Sequence, residues 1–191
     1  MSQEMEFESK NLLTKKEYQR LNDHLNHTKI KPKTQTNYYF ETDNFALKEK
    51  GAALRIRVKE GQYYLTLKQP KLDGLLETHE SITNETLNLW LANQLTPTPK
   101  IDQQLASLDI DRDRIKYGGK LTTERIELNQ TDAIIILDKS TYNNITDYEL
   151  EVEADSKERA EHVMIQLLNK NKIPKRKTPN KIQRFYQTVD Q

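Results

Sequence analysis

Two stretches of this chain alternate acidic and apolar residues: Glu4-Met5-Glu6-Phe7-Glu8-Ser9-Lys10 near the start and Glu149-Leu150-Glu151-Val152-Glu153 far downstream. A side-chain period of two belongs to β-strands, so each stretch sends its carboxylates to one face and its apolar residues to the other. Strands of this kind laid side by side would crowd their carboxylates, and two of them about 4 Å apart repel by roughly 4 kcal/mol at an effective dielectric of about 20. A divalent cation is the commonest group that offsets such a cost. A half-buried antiparallel strand with a wet face produces the same alternation. The distribution of charge sign over the remaining strands separates the two readings.

Those strands follow from the pattern. After the first alternating run, Thr14 with Glu17 three residues on forms a capping box, and Tyr18, Leu21 and Leu25 make a helical stripe that Pro32 ends. Residues 34–42 read as a strand closed by Asp43-Asn44. Residues 52–59 alternate Leu54, Ile56 and Val58 against Arg55, Arg57 and Lys59, and Glu60-Gly61 is a two-residue hairpin turn into a return strand at Tyr63–Gln69. Another strand is expected over 75–83 after an Asp73-Gly74 turn. A helix follows over 85–95 and a shorter one over Asp102–Leu108. Gly118-Gly119 opens three strands near 120–129, 132–142 and 146–154. Ser156 starts a helix through Asn169, and a short helix near Ile182–Thr188 closes the chain. One domain over 1–191 is expected, within the size at which a single chain buries a sizeable core.

The apolar faces (Met5, Phe7; Leu54, Ile56, Val58; Leu65, Leu67; Ile126, Leu128; Leu150, Val152) suit packing under amphipathic helices. The opposite faces carry Glu6, Glu8, Lys10; Arg55, Arg57; Lys68; Arg125, Glu127; Asp138; Glu149, Glu151, Glu153. The fold class is therefore α+β, and helices over the apolar side leave these charges facing either open water or each other; closing the sheet into a barrel would remove its edges and turn the charged faces inward. Carboxylates dominate the outer strands of the sequence and arginine and lysine the middle ones, a segregation that suits a polyanion and its metal ions. Guanidinium forks match phosphate oxygens. Oxygen-only donors indicate Mg²⁺ or Mn²⁺ rather than Zn²⁺.

The chain holds 30 basic and 29 acidic residues, a net charge of +1, and no cysteine, which excludes disulfides and thiolate metal sites and suits a cytoplasmic location. No apolar run is long enough to span a bilayer and the charged opening cannot be a signal-peptide core, so no membrane partner is expected.

Glu6-Phe7-Glu8-Ser9-Lys10 resembles the ExExK signature of the CYTH superfamily, the triphosphate tunnel metalloenzymes. The resemblance runs nearly end to end, through Leu54-Arg55-Ile56-Arg57, Thr66-Leu67-Lys68, Thr123-Glu124-Arg125, Leu137-Asp138-Lys139-Ser140, Glu149-Leu150-Glu151 and Lys181-Ile182-Gln183-Arg184-Phe185. It implies a closed eight-stranded antiparallel barrel around a charged tunnel. It also implies hydrolysis of a triphosphate there, with carboxylate-bound Mg²⁺ or Mn²⁺ activating water. Carried over, Glu6 and Glu8 would bind metal with Glu149 and Glu151, and Asp138 and Glu153 would be further metal ligands. Lys10, Arg55, Arg57, Lys68, Arg125, Lys181 and Arg184 would hold phosphate oxygens, with Glu6, Glu8 and Lys10 the catalytic set. The substrate would be tripolyphosphate, ATP or thiamine triphosphate. The alternatives are a class IV-type adenylyl cyclase, which makes cyclic AMP from ATP, and a non-catalytic module that binds polyphosphate or nucleic acid.

The basic run Lys170, Lys172, Lys175, Arg176, Lys177, Lys181 and Arg184 is the only feature favouring nucleic acid, and the near-neutral chain and absence of a recognised motif argue against it. His24 and His27 are expected on the surface, as is His79. Trp90 is expected in the core, and Tyr142 beside Asp138 has no assigned role.

Overall fold

Local rules set the element ends. Thr14 and Glu17 exchange the two capping-box bonds, backbone N–H of Glu17 to Thr14 Oγ1 at 3.2 Å and backbone N–H of Thr14 to Glu17 Oε2 at 2.7 Å. They start α1 (Lys15–Leu25) directly after β1 (Gln3–Leu13). β2 (Lys33–Thr42) leads through a four-residue helix, α2 (Ala46–Glu49), which the sequence pattern does not announce, into β3 (Ala53–Lys59). Glu60 and Gly61 both take positive φ (50° and 75°), the twist-matched turn that joins β3 to β4 (Gln62–Lys71). β5 (Gly74–Ser81), α3 (Asn84–Leu91) and α4 (Pro99–Ser107) follow.

The helix expected over 85–95 stops early because Asn93 sits at φ 59° and Gln94 N–H returns to Leu89 O at 2.8 Å, a Schellman ending. β6 (Ile115–Asn129) begins ahead of Gly118-Gly119 and runs through the pair, which is therefore no boundary. β7 (Ile134–Tyr142) turns at Asn143 and Asn144, again both at positive φ, into β8 (Ile145–Ala154), and α5 (Lys157–Lys170) and α6 (Lys181–Gln187) end the chain.

This computed structural model describes residues 3–25, 29–72 and 74–188; Asp73 of the expected turn and His27 lie outside them. The strands close an antiparallel barrel in the order β1-β5-β4-β3-β2-β6-β7-β8. Among the described residues no helix is long and apolar enough to cross a membrane.

The chain divides into two compact units, Met1–Met5 with Gln35–Leu121 and Glu6–Thr34 with Thr122–Gln191. In the first, Leu54, Ile56, Leu65 and Leu67 of the strands pack with Leu47, Leu87, Trp90, Ile101 and Leu105 of the helices. Trp90 meets Phe40 edge-on at 5.2 Å and donates its indole N–H to Thr96 Oγ1 at 3.1 Å, the satisfied core position expected of it. In the second, Ile126, Leu128, Leu150 and Val152 pack with Tyr18, Leu21, Met164 and Leu168. The outward apolar face is not uniform. Met5 is exposed, and Ser9 and Asn11 continue that face of β1 as buried polar residues.

Candidate active site

In the second unit, strand register assembles the acidic side chains. Arg125 pairs with Asp138 across β6 and β7, and Asp138 with Glu149 across β7 and β8. Glu149, Glu151 and Glu153 oppose Leu12, Lys10 and Glu8 of β1. Arg125 forks onto both oxygens of Asp138 at 2.8 and 2.7 Å and reaches Glu151 at 2.7 Å. α6 adds two cations from successive turns. Lys181 lies 2.8 Å from Asp138 and 3.2 Å from Glu149 and also bonds Glu151. Arg184 donates to Asp147 at 2.9 Å and to Glu149 at 2.5 Å. Lys10 bonds Glu8, and its ammonium also donates to Asn180 Oδ1 at 3.0 Å.

Asp138, Asp147, Glu149 and Glu151 thus engage Arg125, Lys181 and Arg184, and Glu8 engages Lys10. Their proton affinities differ. Burial would raise Glu151, but Lys181 and Arg125 hold it well below the usual carboxylate range. Burial outweighs Lys181 and Arg184 at Glu149 and pushes it up. Glu153 is half-buried, and partial burial together with Glu6, Glu151 and Glu8 pushes it up to about 7. Burial would lower Lys181, yet Asp138, Glu149 and Glu151 raise it well above the lysine range. A divalent cation fits this cluster: the donors are all oxygens, and the buried Glu149 Oε1 has no hydrogen-bond partner among the described residues.

In the first unit, β3 to β5 hold the cations Arg55, Arg57 and Lys68. Arg57 Nε donates to Asn37 Oδ1 at 3.0 Å. Lys68 lies 2.9 Å and Arg55 3.5 Å from Glu77 Oε1. Burial would raise Glu77, and the nearby Arg55, Lys68 and Arg57 overcome it, lowering the carboxyl to about 2. Beside them a cavity of about 320 Å³ is lined by Arg55, Arg57, Lys59, Tyr64, Thr66 and His79 among others. His79 is therefore not an ordinary surface residue. It is half-buried, with Nδ1 3.0 Å from Thr66 Oγ1 and Nε2 3.1 Å from Glu4 and 3.4 Å from Glu77.

Sequence reasoning missed Asp147, Glu4 and Glu77 as members of these clusters. Asp147 carried the signal, lying two residues before Glu149 on the same face; Glu77 needed the register that sets it opposite Lys68. Tyr142 spends its hydroxyl on Asp147 at 2.8 Å rather than on Asp138, and burial first, then Asp147, pushes it up to about 12. His24 bonds Asn171 Oδ1 at 2.9 Å and is half-buried rather than exposed. Only part of the basic run is spent inside the molecule: Arg176 on Glu17, and Lys181 and Arg184 on the carboxylates above, whereas Lys175 pairs with Glu161 at the surface and Lys170, Lys172 and Lys177 are exposed.

Residues 4–186 match the CYTH domain family. The chain belongs to the CYTH domain family. It is 46% identical over 187 residues to the Bacillus subtilis (strain 168) protein named "Putative triphosphatase YjbK", covering 98% of this chain and 97% of that one. Among solved CYTH-like structures, a Bacillus halodurans protein described as a "putative adenylate cyclase" is 39% identical, with a TM-score of 0.92 over 97% of this chain and 100% of that one. The Hippeastrum protein HpAC1, described as revealing a dominant triphosphatase activity, shares the fold at 24% identity and a TM-score of 0.78, over 96% of this chain and 95% of its own.

Proposed function

We propose that this CYTH protein, acting as one domain, is a metal-dependent triphosphatase that hydrolyses the phosphoanhydride of inorganic tripolyphosphate or of an organic triphosphate. The convergence of carboxylate oxygens in one cluster, with the buried Glu149 Oε1 lacking a hydrogen-bond partner among the described residues, carries the reading. Glu6, Glu8, Glu149 and Glu151, with Asp138 and Glu153, would hold Mg²⁺ or Mn²⁺, and the bound ion would supply Lewis-acid neutralisation of the phosphoryl charge. Arg55, Arg57 and Lys68 hold phosphate oxygens by charge-assisted bonds and orient the chain for in-line attack by water. Arg125, Lys181 and Arg184 neutralise carboxylates here, and would be available to phosphate oxygens with a cation bound at those carboxylates. No histidine or cysteine nucleophile is needed. The names of the relatives support both triphosphate hydrolysis and, as a second reading, cyclisation of ATP.

The test is phosphate release from tripolyphosphate, ATP and thiamine triphosphate with Mg²⁺, Mn²⁺ or EDTA, with the ATP reactions also analysed for cyclic AMP. Hydrolysis that EDTA abolishes is expected, together with its loss in a folded Glu6→Gln/Glu8→Gln variant. Full activity in that variant would sink the metal assignment, and cyclic AMP as the main product would replace hydrolysis by cyclisation.

A further inference from the structure

Glu4, Glu77 and His79 belong to the first unit. One oxygen or nitrogen from each lies within 4.8 Å of the other two. β5 supplies Glu77 and His79 two residues apart on one face, opposite Lys68 and Thr66 of β4. The spacing is that of ligands around one ion. Bonds of about 2.1 Å separate neighbouring donors by about 3.0 Å in octahedral and about 3.4 Å in tetrahedral geometry, and His79 Nε2 stands 3.1 Å from Glu4 Oε1 and 3.4 Å from Glu77 Oε2.

Three further observations point the same way. First, the imidazole is held from behind: Nδ1 meets Thr66 Oγ1 at 3.0 Å, and a donor bond there leaves the Nε2 lone pair facing the two carboxylates. A ligating histidine is oriented in this manner by a partner on its other nitrogen. Second, Glu77 divides its oxygens. Oε1 faces Lys68 and Arg55, while Oε2 faces His79, so the side toward the imidazole is not the side its cations occupy. Third, His79 and Thr66 line the cavity of about 320 Å³ next to Arg55 and Arg57, which leaves room for ligands from outside the protein.

We propose that Glu4, Glu77 and His79 form a divalent-cation site of the first unit with open positions facing the arginine-lined cavity. Imidazole nitrogen beside two carboxylates selects Mn²⁺ or Zn²⁺ over Mg²⁺. Lys68 and Arg55 repel a cation at this place, so affinity rises when an anion occupies the cavity and screens them. Inorganic tripolyphosphate therefore tightens Mn²⁺ binding here; this coupling alone rests on the proposed function, and the site does not.

The carboxylate cluster of the second unit offers only oxygens, so a nitrogen bound to the metal reports this site. Pulsed EPR of the full chain saturated with Mn²⁺ is expected to show nitrogen coupling, lost in His79→Gln together with one equivalent of bound Mn²⁺. Glu4→Gln, an exposed change that spares the core, is expected to weaken the same component at least 10-fold. Absence of nitrogen coupling at saturation, or coupling that persists in His79→Gln, would overturn the site. Binding that His79→Gln leaves intact and Glu6→Gln/Glu8→Gln abolishes would overturn this proposal while sparing the triphosphatase reading; the reverse pattern would do the opposite.

Discussion

Glu153 feels both its burial and the carboxylates around it. A glutamate in the unfolded chain titrates near 4.5, and in the folded protein burial, with Glu6 and Glu151 nearby, takes this one to about 7. The folded state therefore holds the proton more tightly. Its stabilising contribution is complete below about pH 4.5 and is lost as pH rises through about 7, a change on the order of 3 kcal/mol. Urea unfolding in EDTA should show Glu153→Gln more stable than the native protein at pH 8 and equal to it near pH 4.5. An equal margin at both pH values would show that Glu153 does not titrate in this window. The residue itself was legible, since period-two charge on β8 marks it. The place of Glu4 was not: it belongs to the same acidic run as Glu6 and Glu8, and only the fold sets it beside His79.

At the scale of elements, α6 is a short helix whose Lys181 and Arg184, three residues apart, serve carboxylates of β7 and β8. Removing one partner of a buried ion network leaves the others uncompensated, at about 3–5 kcal/mol. Lys181→Met is expected to lose stability on that order in EDTA and to regain part of it with millimolar Mg²⁺ or Mn²⁺, which can replace the ammonium. A loss below about 1 kcal/mol, with no response to metal, would place the carboxylates outside any such network. Most elements were readable from capping, turn chemistry and periodicity. α2 was not, because its four residues are too few to show a period. Neither was the passage of β6 through Gly118-Gly119, where strand pairing overrides a local breaker. The role of α6 also escaped the sequence, since a basic run reads the same whether its charges face solvent or buried acids.

For the whole molecule, closure into an eight-stranded barrel was legible through the resemblance, but the order of strands was not, since alternation gives faces but no neighbours. β1 pairs with β8, Phe7 meeting Ala154, so the first strand finds its partner near the far end of the sequence. Such non-local pairing makes folding slow, in the millisecond-to-second range typical of sheet proteins. Stopped-flow refolding should fall in that range, and a microsecond phase carrying the full amplitude would contradict it.

The same pairing has a consequence during synthesis. At about 5–20 residues per second, β1 leaves the ribosome several seconds or more before β8 exists. Through that interval it is a bare strand edge, the kind of segment that recruits other chains. Glu4, Glu6, Glu8 and Lys10 along it act as charged gatekeepers against that association. Replacing those carboxylates would therefore remove more than metal ligands: it would strip the nascent chain of its protection against aggregation.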